Sequence, residues 1–309
     1  MGQRRFRFGI SFAGSPRRTE LKELLARAED CGFSVALTAD HLTERHAVLP
    51  LLAVIAEMSS MRVSPMVLAN DYRHPVVTAR DTATIDILSG GRFELGIGTG
   101  WIKDQYDAAG LSFDSPRVRV DRLEEAVAVI RGVWSGEPFT FEGDHYQVDR
   151  IRGPKPVQEP HPPILIAGSG RRMMALAGRE ADIVGISPLR PSLVDVSEFG
   201  SSVAASGDRI KTQLDWIRDA SGPRFDDLEL SVTISHLKVT DDADVELGRL
   251  ASEWGSTPGD IAQSLHTLVG SRDQIGGVIE ERRESFGISY VIFSSLVLDD
   301  VSPIVASLA

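Results

Sequence analysis

The chain has 309 residues, 42% of them hydrophobic, which is enough apolar material for a large core. Its formal net charge of −11, from 44 acidic against 33 basic residues and without a long Lys/Arg run, disfavours a nucleic-acid partner. The lone cysteine, Cys31, excludes an internal disulfide and a cysteine zinc cage; no apolar run reaches the ~20 residues that cross a bilayer, and the expected setting is cytoplasmic.

In chain order, a β-rich run near Phe6 (FRFGISF) is followed by a helix-like stretch from Thr19 to Cys31. There Leu21, Leu24, Leu25 and Ala28 recur at i, i+3, i+4 and i+7, one buried helical face, and Gly32 suits the C-cap. Runs near Ser34 (SVALTAD), Val63 (VSPMVLAN) and Arg92 (RFELGIGTG) follow at intervals of about 28–29 residues, the length of a strand plus crossover helix. Helices are expected between them over Ala47–Ser59 and Val76–Leu88. Four further strands are expected at Pro163–Ala167, Ala181–Ser187, Leu228–Val239 and Ser289–Ser295, with helices over Arg171–Arg179, Arg209–Ala220 and Asp273–Phe286.

Apolar strands alternating with helices imply a parallel sheet covered on both faces. An open doubly wound sheet would give a similar string; the number and spacing of strands favour a closed (β/α)8 TIM barrel with insertions, one domain over residues 1–309. Three segments exceed ordinary loop length: Lys103–Arg117, Gly136–Pro162 and Pro188–Asp208. The second contains FTFEGDHYQV, a hairpin pattern with a Gly143-Asp144 turn. The third, rich in Ser, Gly and Pro, suits either a mobile lid or a solvent-exposed excursion.

Barrel enzymes place chemistry at the C-terminal ends of their strands. Here those ends carry Asp40-His41, Asn70-Asp71-Tyr72-Arg73-His74-Pro75, Gly98-Thr99-Gly100-Trp101, Gly168-Ser169-Gly170-Arg171 and Ser187. None of the seven histidines forms an H-x-H pair, so no metal is expected. Gly96, Gly98 and Gly100 alternate onto one strand face, leaving room either for a planar ring or for bulky core neighbours. Gly168-Ser169-Gly170-Arg171 joins an apolar strand to a helix start, where free N–H groups, a hydroxyl and a guanidinium suit a phosphate; an ordinary tight turn is the plain alternative. His41 can exchange a proton or hydrogen-bond a substrate, or it can simply fix the following loop.

The stretches TADHL (Thr38–Leu42), LANDYRHPVVTAR (Leu68–Arg80), LSGGRFELGIGTGW (Leu88–Trp101), PKPVQEPHPPILIAGSG (Pro154–Gly170) and LVGSRDQIGGVIEERRESFGISYVIF (Leu268–Phe293) resemble the bacterial-luciferase-like superfamily of flavin and deazaflavin oxidoreductases. The resemblance covers nearly the whole chain and is nearest to the branch that uses coenzyme F420, a 5-deazaflavin. It implies a homodimeric TIM barrel with a long insertion and the cofactor ring in the barrel mouth. Asp40 would lie near the ring, with Ala69, Asn70, Asp71, Gly98, Thr99 and Gly100 around it. A non-prolyl cis peptide would fall at Ala69-Asn70 or Asn70-Asp71, and the cofactor phosphate would meet Gly168, Ser169, Gly170 and Arg171. His41 would be the catalytic proton partner, and Trp101, Tyr72 and Ser187 would line the substrate pocket. Some sugar-phosphate dehydrogenases of the family carry glutamate where Trp101 stands, which disfavours a sugar phosphate and favours an apolar or aromatic wall. The implied reaction is hydride transfer between F420 and a small organic substrate, with a separate reductase supplying reduced cofactor. The alternatives are a monooxygenase using reduced FMN and a cofactor-binding barrel without chemistry.

Overall fold

A computed structural model describes residues 4–43, 45–188 and 207–309. The apolar runs pair in parallel in the order β3 (Arg62–Pro65), β2 (Val35–Thr38), β1 (Arg7–Phe12), β13 (Ile288–Ser294), β10 (Glu229–Thr233), β9 (Ile183–Ile186), β8 (Ile164–Gly168), β5 (Leu95–Gly98) and β4 (Leu68–Ala69). β3 and β4 are two pieces of one run, interrupted at Met66-Val67, and a parallel bridge from Val63 to Phe93 brings β3 against the approach to β5. Both edges of the nine-strand sheet therefore belong to the same stretch of chain, and the sheet is a nearly closed parallel TIM barrel. The cis peptide lies at Met66-Val67, within this interruption, not at Ala69-Asn70 or Asn70-Asp71 as the resemblance implied.

Strand alternation sorts the side chains. Val35, Leu37, Leu165, Ile183, Tyr290 and Ile292 fill the lumen. Phe8, Ile10, Phe12 and Ala36 point outward to helix α1 (Arg18–Asp30), which buries Leu21, Leu25 and Ala28 as its spacing predicts, and to α2 (Val48–Met58). The lumen's N-terminal end is closed by charge: Arg7 pairs with Glu94 and Glu229, Arg62 meets Glu94 at 2.6 Å, and Arg7 lies 4.5 Å from the Tyr290 ring centroid. That end of a barrel serves stability and leaves the opposite rim for function.

The structure departs from the sequence expectation in three places. The supposed loop Lys103–Arg117 contains helix α4 (Lys103–Ala109) and the start of α5 (Pro116–Trp134). α5 begins where the Ser115 hydroxyl accepts the Val118 N–H with Pro116 at the first helical position, and it buries Leu123, Val127, Ile130 and Val133. The expected strand Leu228–Val239 is two strands in different sheets. β10 ends at Thr233, and β11 (His236–Val239) pairs with β12 (Thr267–Gly270), because the Ser235 and His236 N–H groups both donate to the His266 carbonyl. Helices Ala243–Trp254, Pro258–Gln263 and Leu298–Leu308 were not anticipated, although apolar residues recur at helical spacing in the first (Leu247, Leu250, Ala251, Trp254) and the last (Leu298, Val301, Val305, Leu308). The hairpin forms as expected from β6 (Phe139–Glu142) and β7 (Gln147–Ile151). Of the Pro188–Asp208 excursion, residues 189–206 lie outside the described residues. Among the described residues no helix is long and apolar enough to cross a membrane, and no cluster of His, Cys, Asp or Glu is placed to hold a metal ion.

His266 is 4% exposed, and its Nδ1 lies 3.0 Å from the Thr233 carbonyl. Burial pushes its pKa down to about 4 from 6.5, with Arg282 adding to the effect. The unfolded chain takes up this proton as pH falls through 6.5, whereas the fold refuses it until about 4. Stability should therefore decline across that interval, by up to about 3 kcal/mol from this group. Urea midpoints at pH 7 and pH 5 should differ less in His266→Asn than in the parent chain; equal differences would remove His266 as the cause.

Candidate active site on the C-terminal rim of the barrel

β2 delivers Asp40 and His41 to the rim. The Asp40 side chain is 4% exposed, and its carboxylate accepts two guanidinium N–H groups of Arg73, at 2.6 and 3.0 Å, and the Ala69 N–H at 3.1 Å. It thus ties the end of β2 to the end of β4. His41 Nδ1 lies 3.3 Å from the Gln105 amide nitrogen, and the Gln105 amide oxygen accepts the Leu42 N–H at 3.0 Å. Burial, then the nearby Arg45, lowers the His41 pKa below 6.5, outweighing the opposing pulls of an amide contact with Gln105 and of Asp40.

After β4 the chain turns through Asn70–Tyr72. The Asn70 amide donates to the Tyr146 hydroxyl at 3.1 Å. Tyr146 comes from the hairpin, whose turn is held by Glu125 accepting the N–H groups of Asp144, His145 and Tyr146. The Asp71 carboxylate, 4% exposed, accepts from Arg122 at 2.9 Å. The Tyr106 hydroxyl lies 3.4 Å from Asp71 and 3.2 Å from the Thr99 carbonyl, and the Tyr72 ring packs on Tyr106 at 5.0 Å. Burial, reinforced by Asp40 and Asp71, pushes the Tyr72 hydroxyl up to about 12, so it stays protonated at neutral pH. Arg119, 2% exposed, donates to the carbonyls of Thr99 at 3.3 Å and Gly100 at 2.6 Å while lying over the Phe113 ring.

The face left bare by the alternating glycines is already taken. A Cβ at Gly96 would stand 2.0 Å from the Pro65 carbonyl oxygen, one at Gly98 2.9 Å from Val67, and one at Gly100 2.0 Å from the Tyr106 hydroxyl. Of the two roles open from sequence, close approach of the chain's own neighbours is the one the structure displays. Met66, Val67 and Ala167, each half-buried, cap the lumen cluster just inside the rim with an apolar surface. Half-buried Trp101 follows Gly100.

β8 runs through Gly168 and Ser169 into α6 (Arg171–Glu180), whose N-cap is Gly170. No side chain caps this end, its first turn has no acidic residue, and a Cβ at Gly170 would meet nothing within 4 Å. Gly168 has no such freedom, because its Cβ would lie 2.3 Å from Met173. The Gln213 amide donates to the Ser169 carbonyl at 3.1 Å and the Ser187 carbonyl at 3.0 Å, clamping the ends of β8 and β9 together. Uncapped N–H groups at a helix start with Arg171 beside them fit an anionic group. Gly170 has φ −80° and ψ 157°, which any residue adopts, so Gly170→Phe should fold normally and lose at least about tenfold in cofactor affinity. Unchanged affinity would discredit the phosphate site.

The rim thus joins Asp40 with Ala69, Asp71 with Tyr106 and Thr99, and Gly168 with Ser187. Arg73, Gln105, Tyr106, Arg119, Arg122, Tyr146 and Gln213 had no role assigned from the sequence. Arg73 and Tyr146 stood inside quoted stretches, LANDYRHPVVTAR and FTFEGDHYQV; the others sit on helices, where nothing in their spacing marks them.

The luciferase-like monooxygenase family profile matches residues 6–218. The F420-dependent glucose-6-phosphate dehydrogenase of Nakamurella multipartita is 34% identical over 245 residues, 74% of this chain and 65% of that protein. The F420-dependent hydroxymycolic acid dehydrogenase of Mycobacterium tuberculosis is 37% identical over 50% of this chain and 45% of its own length. The FMNH2-dependent dimethylsulfone monooxygenase of Pseudomonas putida is 29% identical over 62% of this chain and 55% of its own. The matches therefore span roughly half to two thirds of these relatives. The coenzyme F420-dependent tetrahydromethanopterin reductase of Methanopyrus kandleri superimposes with a TM-score of 0.79 over 99% of both chains at 19% identity, which shows a common fold. With its profile match extending over more than half of its length, the chain belongs to the luciferase-like monooxygenase family.

Proposed function

We propose that this chain is a coenzyme F420-dependent oxidoreductase that moves a hydride between the deazaflavin and a small organic substrate. The observation that carries the proposal is the uncapped helix start at Gly168–Arg171, fit for an anion, on the same rim as His41 and across the barrel mouth from it. FMN carries a phosphate too, so the choice of cofactor leans on likeness. Two F420-dependent dehydrogenases share 34% and 37% identity with the chain, against 29% and 32% for two FMNH2-dependent monooxygenases, a narrow margin that keeps reduced FMN as the second reading.

The residues present fit such a group. Gly168, Ser169, Gly170 and Arg171 would hold the phosphate, and Asp40, Ala69, Asn70, Asp71, Gly98, Thr99 and Gly100 form the rim around the ring. When bound, the deazaflavin supplies a ring carbon that gives or takes a hydride. The protein's own task is position and dryness: Met66, Val67 and Ala167 provide an apolar floor, and the Asp40–Arg73 pair fixes the rim. Tyr72, Trp101 and Ser187 would line the substrate side, with His41 meeting the substrate. We place the enzyme in the cytoplasm as a single-domain homodimer that receives reduced cofactor from a separate reductase.

A binding titration tests this. The purified protein should quench deazaflavin fluorescence at micromolar concentration and bind FMN weakly; the opposite ranking would transfer the assignment to the monooxygenase.

A further inference from the structure

We infer that Gln105 locks His41 as a neutral imidazole with its proton on Nε2, so that His41 serves a substrate oxygen as a hydrogen-bond donor rather than as a proton carrier. Gln105 is 9% exposed and has two polar contacts that fix its orientation. The Leu42 main-chain N–H can only donate, so the amide atom 3.0 Å from it must be the oxygen. The amide group facing the ring, 3.3 Å from His41 Nδ1, is then the NH2, which can only donate. Nδ1 must accept, and a neutral imidazole that accepts at Nδ1 carries its hydrogen on Nε2.

Protonating the ring would set an Nδ1–H against the NH2 of Gln105, donor to donor. Turning the amide over would relieve that clash only by setting NH2 against the Leu42 N–H. Either arrangement leaves a half-buried donor without an acceptor, so Gln105, whose oxygen would favour a charged ring if it faced one, resists the imidazolium while the Leu42 N–H holds that oxygen. Among the described residues, the charged groups set against the ring are Arg45, which also opposes a positive ring, and Asp40. Asp40 is engaged by Arg73 and the Ala69 N–H, which limits its pull.

The chemical consequence rests on the function proposed above. In the direction of substrate reduction, the cofactor C–H bond breaks, a C–H bond forms at a carbonyl carbon, and negative charge grows on the carbonyl oxygen. A neutral Nε2–H steadies that charge by hydrogen bonding; the proton completing the alcohol comes from a water at the mouth, and the hydroxide left would be neutralised by the proton that the oxidised cofactor gives up. The substrate class is therefore one whose reacting carbon bears oxygen, a carbonyl compound or the corresponding alcohol. Leu42, Thr43, Ala108 and Ala109, with Asp104 and Gln105, line a neighbouring cavity of about 210 Å3, room for a small substituent.

The test needs no cofactor. Histidine-labelled full-length protein, observed by long-range proton–nitrogen NMR between pH 5.5 and 9, should show His41 neutral with hydrogen on Nε2 over the upper range. Gln105→Glu puts an acceptor against Nδ1; it should move the hydrogen to Nδ1 and raise the His41 midpoint by at least one pH unit. Gln105→Met should give a tautomer mixture, and unchanged resonances of the remaining histidines would report an intact fold. Hydrogen on Nδ1 in the parent protein, or a tautomer indifferent to Gln105→Glu, would overturn the inference while leaving the cofactor titration untouched.

Discussion

Replacing His41 with alanine is expected to lower turnover by about 10²- to 10³-fold, or ~3–4 kcal/mol in the barrier, while cofactor affinity stays within about threefold of the parent protein. The asymmetry follows from where the ring sits. His41 hangs at the end of β2 on the Gln105 amide, whereas the proposed phosphate site at Gly168–Arg171 lies across the barrel mouth on β8 and α6. A donor whose contact strengthens only as charge develops on the substrate acts on the rate and leaves cofactor binding alone. Its removal creates no large void, because the ring is only half-buried. The measurement is single-turnover kinetics with saturating reduced cofactor, paired with a fluorescence titration of the same preparation. Unchanged turnover would remove His41 from the mechanism; a parallel collapse of affinity would make it part of the cofactor site instead.

Asp40→Ala should act in the opposite manner, on stability and cofactor affinity together. The carboxylate is buried and holds three donors, two from Arg73 and one from the Ala69 main chain. Breaking a buried ion pair costs ~3–5 kcal/mol; because the Arg73 side chain is 24% exposed and can recover some water, about 2–3 kcal/mol is the expected loss here. Asp40→Asn keeps an acceptor for the Ala69 N–H and should lose about half as much. Since this contact is what joins the ends of β2 and β4, both variants should also bind cofactor more weakly, the alanine variant more so. Urea unfolding and the same titration read both effects. A destabilisation below about 0.5 kcal/mol would mean that the Asp40–Arg73 pair contributes nothing beyond a surface ion pair.

Much of the barrel was legible before any coordinate. The eight expected strands form, since a barrel strand buried on both faces must be apolar at successive positions, and that property is written locally in runs such as PILIA and ADIVGIS. Two of them divide: the Val63 run breaks at Met66-Val67, and the division of Leu228–Val239 turns on the His266 carbonyl, about thirty residues away in sequence, capturing the N–H groups of Ser235 and His236. Local hydrophobicity cannot record a departure that a distant acceptor causes. The helices α4 and α5 were missed for different reasons. α4 has only seven residues, whereas α5 carries its own apolar stripe, Leu123, Val127, Ile130 and Trp134 at i, i+4, i+7 and i+11, which packs on α3 (Pro75–Leu88) and α6 and whose start lay inside a stretch read as loop.

The site divides along the same line. Residue types and strand-end positions in the linear chain were sufficient to bring Asp40, His41, Asn70, Thr99 and Ser169 to one rim, because parallel strands in a closed sheet must all end on the same side. What those residues do to one another was settled only by the folded chain. Gln105 reaches His41 across 64 residues, Arg122 reaches Asp71 across 51 and Tyr146 reaches Asn70 across 76. Backbone periodicity repeats every two or 3.6 residues and carries no trace of such distant partners. Protonation, tautomer and rigidity at the rim depend on these pairings, and so they belong to the tertiary structure.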